Sequence, residues 1–338
     1  ADGLTIKFEY EEKTEPAKKL QERIRKEGYA TVRLLEKKTS KVSPLPPFST
    51  DSMLREAVTL LRLGVSDVMR IAQELFELGL ITYHRTDSIH VSAAGIGVAK
   101  SYITEKIGED FFKARLWAPP GTHECIRPTR PYDSETLRIL VNQGILQLAR
   151  PLTTIHYRLY DLIFRRFMAS QMREAVMETA KFEIAVAGIK QELNLYTRVV
   201  EPGFTLVYMP FSLTSLKEGR HEIREVSYRR VPTVTLYTQA DIIAKMKEER
   251  IGRPSTYSKI VSTLLERRYI IETKRKRLLP TKLGIDVYPY LEKDYEPFIS
   301  VSRTRIVEDK MDKIERGCLL YTSPSPRDLS TSRMPSSA

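Results

Sequence analysis

The spacing of apolar residues changes period twice along this chain, and that change limits what it can fold into. Leu4, Ile6, Phe8 and Tyr10 alternate through the opening stretch, and alternation returns at Val32 and Leu34 after a basic, helix-like segment over residues 16–26. An apolar residue at every second position gives a strand one face for a core. From residue 49 the apolar positions fall three and four apart instead. Met53, Leu54, Ala57, Val58 and Leu61 form one stripe, and Ile71, Leu75 and Phe76 another; each is one face of a helix. Period two resumes at Phe182, Ile184 and Val186, continues through Leu193, Leu195, Thr197 and Val199, and is followed by Leu206 and Tyr208. Strand-patterned blocks on both sides of a helical block predict an α+β multidomain chain, in which a discontinuous β-rich domain receives a helical domain as an insertion.

Turn and cap residues set the boundaries. Pro44-Leu45-Pro46-Pro47 breaks regular structure, and Ser49-Thr50-Asp51 caps a helix that stops at Gly64. A second helix runs from Ser66 to Gly79, and a third, capped by Ser92, runs to about Ile107. Helical character then extends from Ser134 to about Met177. Further on, Thr238 and Asp241 form a capping box for a helix that Gly252 breaks. Ser255 and Thr256 open another, and a hairpin with a basic turn at residues 273–276 leads to a helix capped by Thr281. Helix, turn, helix and basic hairpin describe a winged helix, a nucleic-acid-binding shape. The expected domains are residues 1–45 and 179–236 for the β-rich part, 46–178 for the helical insertion, and 237–316 for the winged helix. The chain opens inside a strand pattern without an initiator Met, as a fragment would. Residues 317–338 lack apolar periodicity and look like a translated cloning adapter, expected to be disordered.

Charge narrows the partner. There are 55 Lys and Arg against 43 Asp and Glu, a net charge of +12, which favours a polyanion. No apolar run approaches the roughly 18 residues that cross a bilayer, so nucleic acid is favoured over a membrane, and the sparse cysteines fit a reducing cytoplasm. Cys125 and Cys318 stand too far apart in a Cys-poor chain to suggest a zinc site or a disulfide framework. The abundance of Lys, Glu and Arg is compatible with a thermophile source.

The chemistry concentrates between residues 80 and 88. Tyr83, Arg85 and the hydroxyls of Thr86 and Ser88 lie within six positions. A phenol, with an ordinary pKa of about 10, is a poor nucleophile at neutral pH and gains from a neighbouring cation. In an extended segment Tyr83 and Arg85 point to one side, and the guanidinium fork can hold two phosphate oxygens. A Tyr-x-Arg pair alone, however, is more often the end of a buried strand followed by a capping turn.

The longer string decides between these readings. Ile81-Thr82-Tyr83-His84-Arg85-Thr86-Asp87-Ser88 resembles the active-site signature of the type IA DNA topoisomerases, in which the tyrosine attacks one DNA strand and becomes joined to the 5′ phosphate. His84, with Ile89-His90-Val91-Ser92 and Gly95, resembles the reverse gyrase branch. Thr122-His123-Glu124-Cys125-Ile126-Arg127-Pro128 is similar to the family's Ala-His-Glu-Ala-Ile-Arg-Pro box, with Thr122 and Cys125 at its alanine positions. Taken alone, His123 is more often a surface or capped histidine than a functional one. Ile251-Gly252-Arg253-Pro254-Ser255-Thr256-Tyr257 matches a third family box residue for residue, and a helix N-terminus with two hydroxyls and an arginine suits a phosphate.

The resemblance implies a toroidal core with a β-rich arch whose helical tip carries the tyrosine. It assigns Tyr83 as nucleophile and Arg85 to the scissile phosphate, His123, Arg253, Ser255 and Thr256 to DNA binding, and Thr86, Asp87 and Ser88 to bracing the loop. The implied partner is single-stranded or locally unwound DNA. In this family Mg²⁺ is held by a Toprim domain with an Asp-x-Asp motif, and reverse gyrases use ATP through a helicase domain. Neither an Asp-x-Asp nor a Gly-x-x-x-x-Gly-Lys-Ser/Thr motif occurs here. The chain is therefore expected to be a partial module, inactive in isolation, whose Toprim and helicase partners lie elsewhere on the same polypeptide. Three rival readings are a non-enzymatic winged-helix DNA-binding protein, an ordinary type IA enzyme that only relaxes negative supercoils, and a tyrosine recombinase. In the last class the tyrosine usually follows the basic residues, whereas Tyr83 precedes His123 and Arg127.

Overall fold

Ala17–Glu27 forms helix α1, and Gly28, at a φ of 71°, turns the chain into strand β1 (Tyr29–Val42). Leu20 and Ile24, four apart on α1, are its two buried residues. The computed structural model describes residues 5–7, 15–121, 123–229 and 235–315. It divides into a unit over residues 1–236 and a second over residues 237–338.

In the first unit five helices follow β1: α2 (Thr50–Leu61), α3 (Val65–Glu77), α4 (Ala93–Lys106), α5 (Ser134–Asn142) and α6 (Thr154–Ser170). Strands β2 (Ala175–Val186), β3 (Ile189–Glu201) and β4 (Gly219–Glu222) come after them. The sheet order is β3-β2-β1-β4 with every pair antiparallel, and β1 meets β2 from Thr31↔Ala185 to Val42↔Ala175. All five helices therefore leave from one end of β1 and return at the start of its neighbour. On one sheet face Val32, Ala180, Phe182 and Ile184 are buried, with Ile6, Leu34, Leu193 and Leu195 packed beside them.

The helical block is centred on α6, which buries Tyr157, Leu159, Tyr160, Leu162, Ile163, Phe164, Phe167 and Met168. A helix buried along most of its surface belongs inside a bundle, where each such apolar side chain contributes about 1.5–3 kcal/mol. Its one buried guanidinium, Arg166, is paired with Glu56 at 2.9 Å and donates to the Pro46 carbonyl at 2.7 Å.

Two expected spans change. The single helical run from Ser134 to Met177 is two helices: Gly144, at a φ of 70°, follows the end of α5, Pro151 cannot continue a helix, and Thr153 caps α6 with His156. The run also ends early, because residues from Ala175 pair with β1. Leu206 and Tyr208 do not extend a strand; Gly203–Leu206 is a 3-10 turn. Gly203 has a φ of 46°, and a side chain there would collide with the Glu174 backbone. Of the opening strand pattern, Leu4, Phe8 and Tyr10 lie outside the described residues, as does the tail from Gly317.

The second unit holds α7 (Gln239–Glu248), α8 (Tyr257–Glu266), a hairpin of β5 (Ile270–Glu272) and β6 (Leu278–Pro280), α9 (Lys282–Ile299) and α10 (Val301–Glu315). Thr238 and Asp241 cap α7 reciprocally, and Thr281 caps α9 by accepting from Gly284 N–H. Among the described residues no helix is long and apolar enough to cross a membrane.

Candidate active site

Residues 83–87 alternate between solvent and interior. Tyr83, Arg85 and Asp87 are exposed, while His84 and Thr86 are buried. This alternation is fixed from below by Thr50 in the first turn of α2. Its N–H donates to the Thr86 carbonyl at 2.8 Å, and its hydroxyl lies 2.7 Å from the His84 carbonyl, 2.9 Å from that of Thr86, and accepts from Thr86 N–H at 2.8 Å. Thr86 Oγ1 in turn accepts from Ser88 N–H, and Ser88 Oγ from His90 N–H, both at 3.0 Å. Thr86 and Ser88 thus brace the turn from inside, and Asp87 stands on the exposed face beside Arg85.

The Tyr83 ring, 40% exposed, is held by three other rings. Phe76 from α3 meets it edge-on at 5.3 Å, His84 lies at 5.7 Å, and His123 at 5.5 Å. So the structure brings the second sequence box against the first. The two segments are joined where Thr82 N–H donates to the Arg127 carbonyl at 2.9 Å, Thr129 N–H donates to the Leu80 carbonyl at 3.1 Å, and Ile81 bridges Pro128. Next to His123, Glu124 accepts from Ser92 Oγ at 2.7 Å and from Arg127 at 2.8 and 2.9 Å. Burial would raise the Glu124 carboxyl, but the hydrogen bonds from Arg127 and Ser92 prevail and hold it below the usual range.

Two buried groups are electrically quiet. Burial, then Glu124, pushes the Cys125 thiol up to about 12, which leaves it without thiolate chemistry at neutral pH. His84 is fully buried with no hydrogen-bond partner on either ring nitrogen, and burial followed by the Arg85 charge lowers it to about 4. It is a neutral imidazole under the nucleophile candidate.

Arg253, Ser255 and Thr256 belong to the second unit, at the start of α8. Ser255 and Thr256 are exposed. Thr256 Oγ1 accepts from Arg253 N–H at 2.8 Å, which closes the turn, and Gly252, at a φ of 79°, has Tyr257 packed where a side chain would stand. The Arg253 guanidinium is held on α10: it donates to Asp312 at 2.6 Å and to the Glu308 carbonyl at 3.2 Å, and lies 3.0 Å from the Glu308 carboxylate. The sequence reading missed this pairing. Glu308 and Asp312 are four apart and share a helix face, but nothing local in the sequence links that face to Arg253. Also not foreseen were the bonds of the Thr82 hydroxyl to Cys125 and Arg127, and the Ser92, Glu124 and Arg127 cluster next to His123. Among the described residues there is no group of three or more His, Cys, Asp or Glu that could hold a metal ion.

A family model described as DNA topoisomerase matches residues 5–322. The reverse gyrase of Pyrococcus furiosus is 49% identical over 285 residues, covering 83% of this chain and 23% of that protein. Reverse gyrase 1 of Aquifex aeolicus is 46% identical over 316 residues, covering 93% of this chain and 27% of its own length. The chain thus spans about a quarter of the length of these relatives. The solved structure of full-length topoisomerase I from Thermotoga maritima is similar with a TM-score of 0.65 at 31% identity, over 89% of this chain and 51% of that one.

Proposed function

The chain belongs to the type IA DNA topoisomerases, and on that footing we propose that it carries the strand-cleaving and strand-binding part of a reverse-gyrase-like enzyme and acts within a longer polypeptide. One observation carries the reading: Tyr83 and Arg85 share an exposed face while the His123 ring lies 5.5 Å from that of Tyr83. In the proposed reaction the Tyr83 phenol oxygen forms a bond to phosphorus as the bond to the 3′ oxygen breaks. The phenol proton leaves and the departing 3′ oxygen takes one up. Arg85 holds the phosphate oxygens, and reversal reseals the strand without loss of bond energy. His123, Arg253, Ser255 and Thr256 are proposed to bind the DNA, and Thr86, Asp87 and Ser88 to hold the loop. The Mg²⁺ ligands and any ATP site are proposed to lie in other parts of the polypeptide, and no step is assigned to them.

The architecture proposed for this function has an arch, a helical tip and a DNA-binding module. In it the four-stranded sheet is the arch, the five helices between β1 and β2 are the inserted tip, and α7, α8 and the β5–β6 hairpin are a winged helix. The excursion of the helices from one strand end and back supports the insertion.

The test is an end-labelled single strand incubated with the full-length polypeptide and then denatured. A covalent complex is expected through a 5′ phosphate, mapping to Tyr83 by peptide sequencing. A 3′ linkage would favour recombinase chemistry, and binding without any adduct would favour a non-enzymatic DNA-binding protein. The isolated chain should bind single strands with an affinity that falls steeply as salt rises, through counterion release. Arg85→Lys keeps the charge but loses the planar fork, and cleavage is expected to fall about tenfold or more, over about 1.4 kcal/mol. A rate equal to the unaltered protein would remove Arg85 from the site.

A further inference from the structure

Tyr83 and His123 come from segments forty residues apart, and the backbone pairing between those segments is short. Pro128 has no N–H, so the pairing rests on Thr82 N–H to Arg127 and Thr129 N–H to Leu80. Beyond these, toward Tyr83 and His123, the Thr82 side chain takes over. Its hydroxyl donates to the Cys125 carbonyl at 2.8 Å and accepts from Arg127 N–H at 3.0 Å, so one side chain supplies both halves of a missing rung.

We propose that Thr82 is a positioning residue, whose hydroxyl fixes the register between the two segments and so holds the Tyr83 phenol beside the His123 imidazole. Thr82 precedes Tyr83 in the chain. On the other segment the register passes from Cys125 and Arg127 to Glu124, which Ser92 and the Arg127 guanidinium anchor one residue from His123. The far side of that segment is fixed as well, because Cys125 N–H donates to the His90 carbonyl and Ile126 N–H to that of Phe48, both at 2.8 Å. The segment carrying His123 is therefore anchored on its far side, and the Thr82 hydroxyl adds to the two backbone bonds that tie the Tyr83 segment to it. Cys125 and Arg127 are buried, so without the hydroxyl a carbonyl and an N–H lose their partner away from water, and the tie between the two segments loosens where Tyr83 and His123 meet. A displacement of about 1 Å at a reacting atom can cost about a hundredfold in rate.

The inference rests on the proposed function for its effect on rate, but its structural half can be read without any activity. In the full-length protein Thr82→Val keeps the shape and removes the hydroxyl, while Thr82→Ser keeps the hydroxyl. Thr82→Val is expected to lower the cleavage rate about ten- to a hundredfold with single-strand affinity within about twofold, and Thr82→Ser to restore the rate to within about threefold. Separately, the ring-current shift that Tyr83 imposes on the His123 imidazole protons should be present in the unaltered chain and in Thr82→Ser, and lost in Thr82→Val. Should Thr82→Val not fold, Thr82→Ala removes the same hydroxyl without added bulk and takes its place. Cleavage at the unaltered rate in the hydroxyl-free variant, or a retained ring-current shift, would overturn the role of Thr82. An unaltered protein that forms no adduct would instead overturn the proposed function, and leave the ring-current comparison to judge Thr82.

Discussion

Tyr83→Phe in the full-length polypeptide should abolish the covalent DNA adduct and leave single-strand affinity within about twofold. The substitution removes one oxygen from a ring that is 40% exposed and whose contacts with Phe76, His84 and His123 are all made by the ring itself. No packing is lost, so the melting temperature should stay within about a degree, as for other surface changes. What is lost is the atom that bonds to phosphorus. Removing a nucleophile costs at least about a thousandfold in rate where it has been measured, and neither the exposed phenyl ring nor the buried Cys125 thiol can replace it. Affinity should persist because the guanidiniums, the helix N-terminus at Arg253 and the excess of basic residues remain. An adduct of ordinary yield in the phenylalanine variant would mean that the attacking atom lies elsewhere.

The short-range pattern around Tyr83 was legible in the sequence. Alternation was expected to put Tyr83 and Arg85 on one side, and both are exposed while His84 and Thr86 are buried. Caps at Ser92, Thr238 and Thr281 were legible for the same reason, since a hydroxyl facing the free N–H groups of a first turn is a local matter. What could not be read was set by partners distant in the chain. The early end of the long helical run comes from pairing of Ala175 with Val42, 133 positions back. The ion pairs on Arg253 come from α10, more than fifty residues later. The same holds for Thr82, which in sequence is only a β-branched residue suited to a strand; its second use appears only when Cys125 and Arg127 lie beside it. Short strings carry residue types and faces, while hydrogen-bond assignments depend on tertiary neighbours.

His84 leads to the other large effect, on stability rather than rate. Its ring is fully buried, neither nitrogen has a hydrogen-bond partner, and its pKa is lowered from 6.5 to about 4, by burial first and the Arg85 charge second, with Glu77 opposing them. In the unfolded chain the imidazole takes up a proton near pH 6.5; in the folded protein it does so only near pH 4. Between those values the unfolded state binds more protons, so stability is complete above about pH 6.5 and is lost as pH falls toward 4. A shift of this size corresponds to about 2–3 kcal/mol, allowing for some solvent relaxation around the ring. His84→Met, close in volume and without titratable atoms, should remove that loss. It should also be more stable than the unaltered chain at pH 7, by about 1 kcal/mol, because no unpartnered polar atoms remain buried. Carboxylates held low by hydrogen bonds, such as Glu174 at about 2, lose their contribution at still lower pH in both proteins and cancel in the comparison. Denaturant midpoints measured from pH 7 to 4.5 should therefore diverge, with the unaltered chain falling more steeply. Parallel curves would show that the imidazole already has a partner or access to water. The imidazole ring lies 5.7 Å from that of Tyr83, which makes the cleavage rate of His84→Met the next quantity to measure.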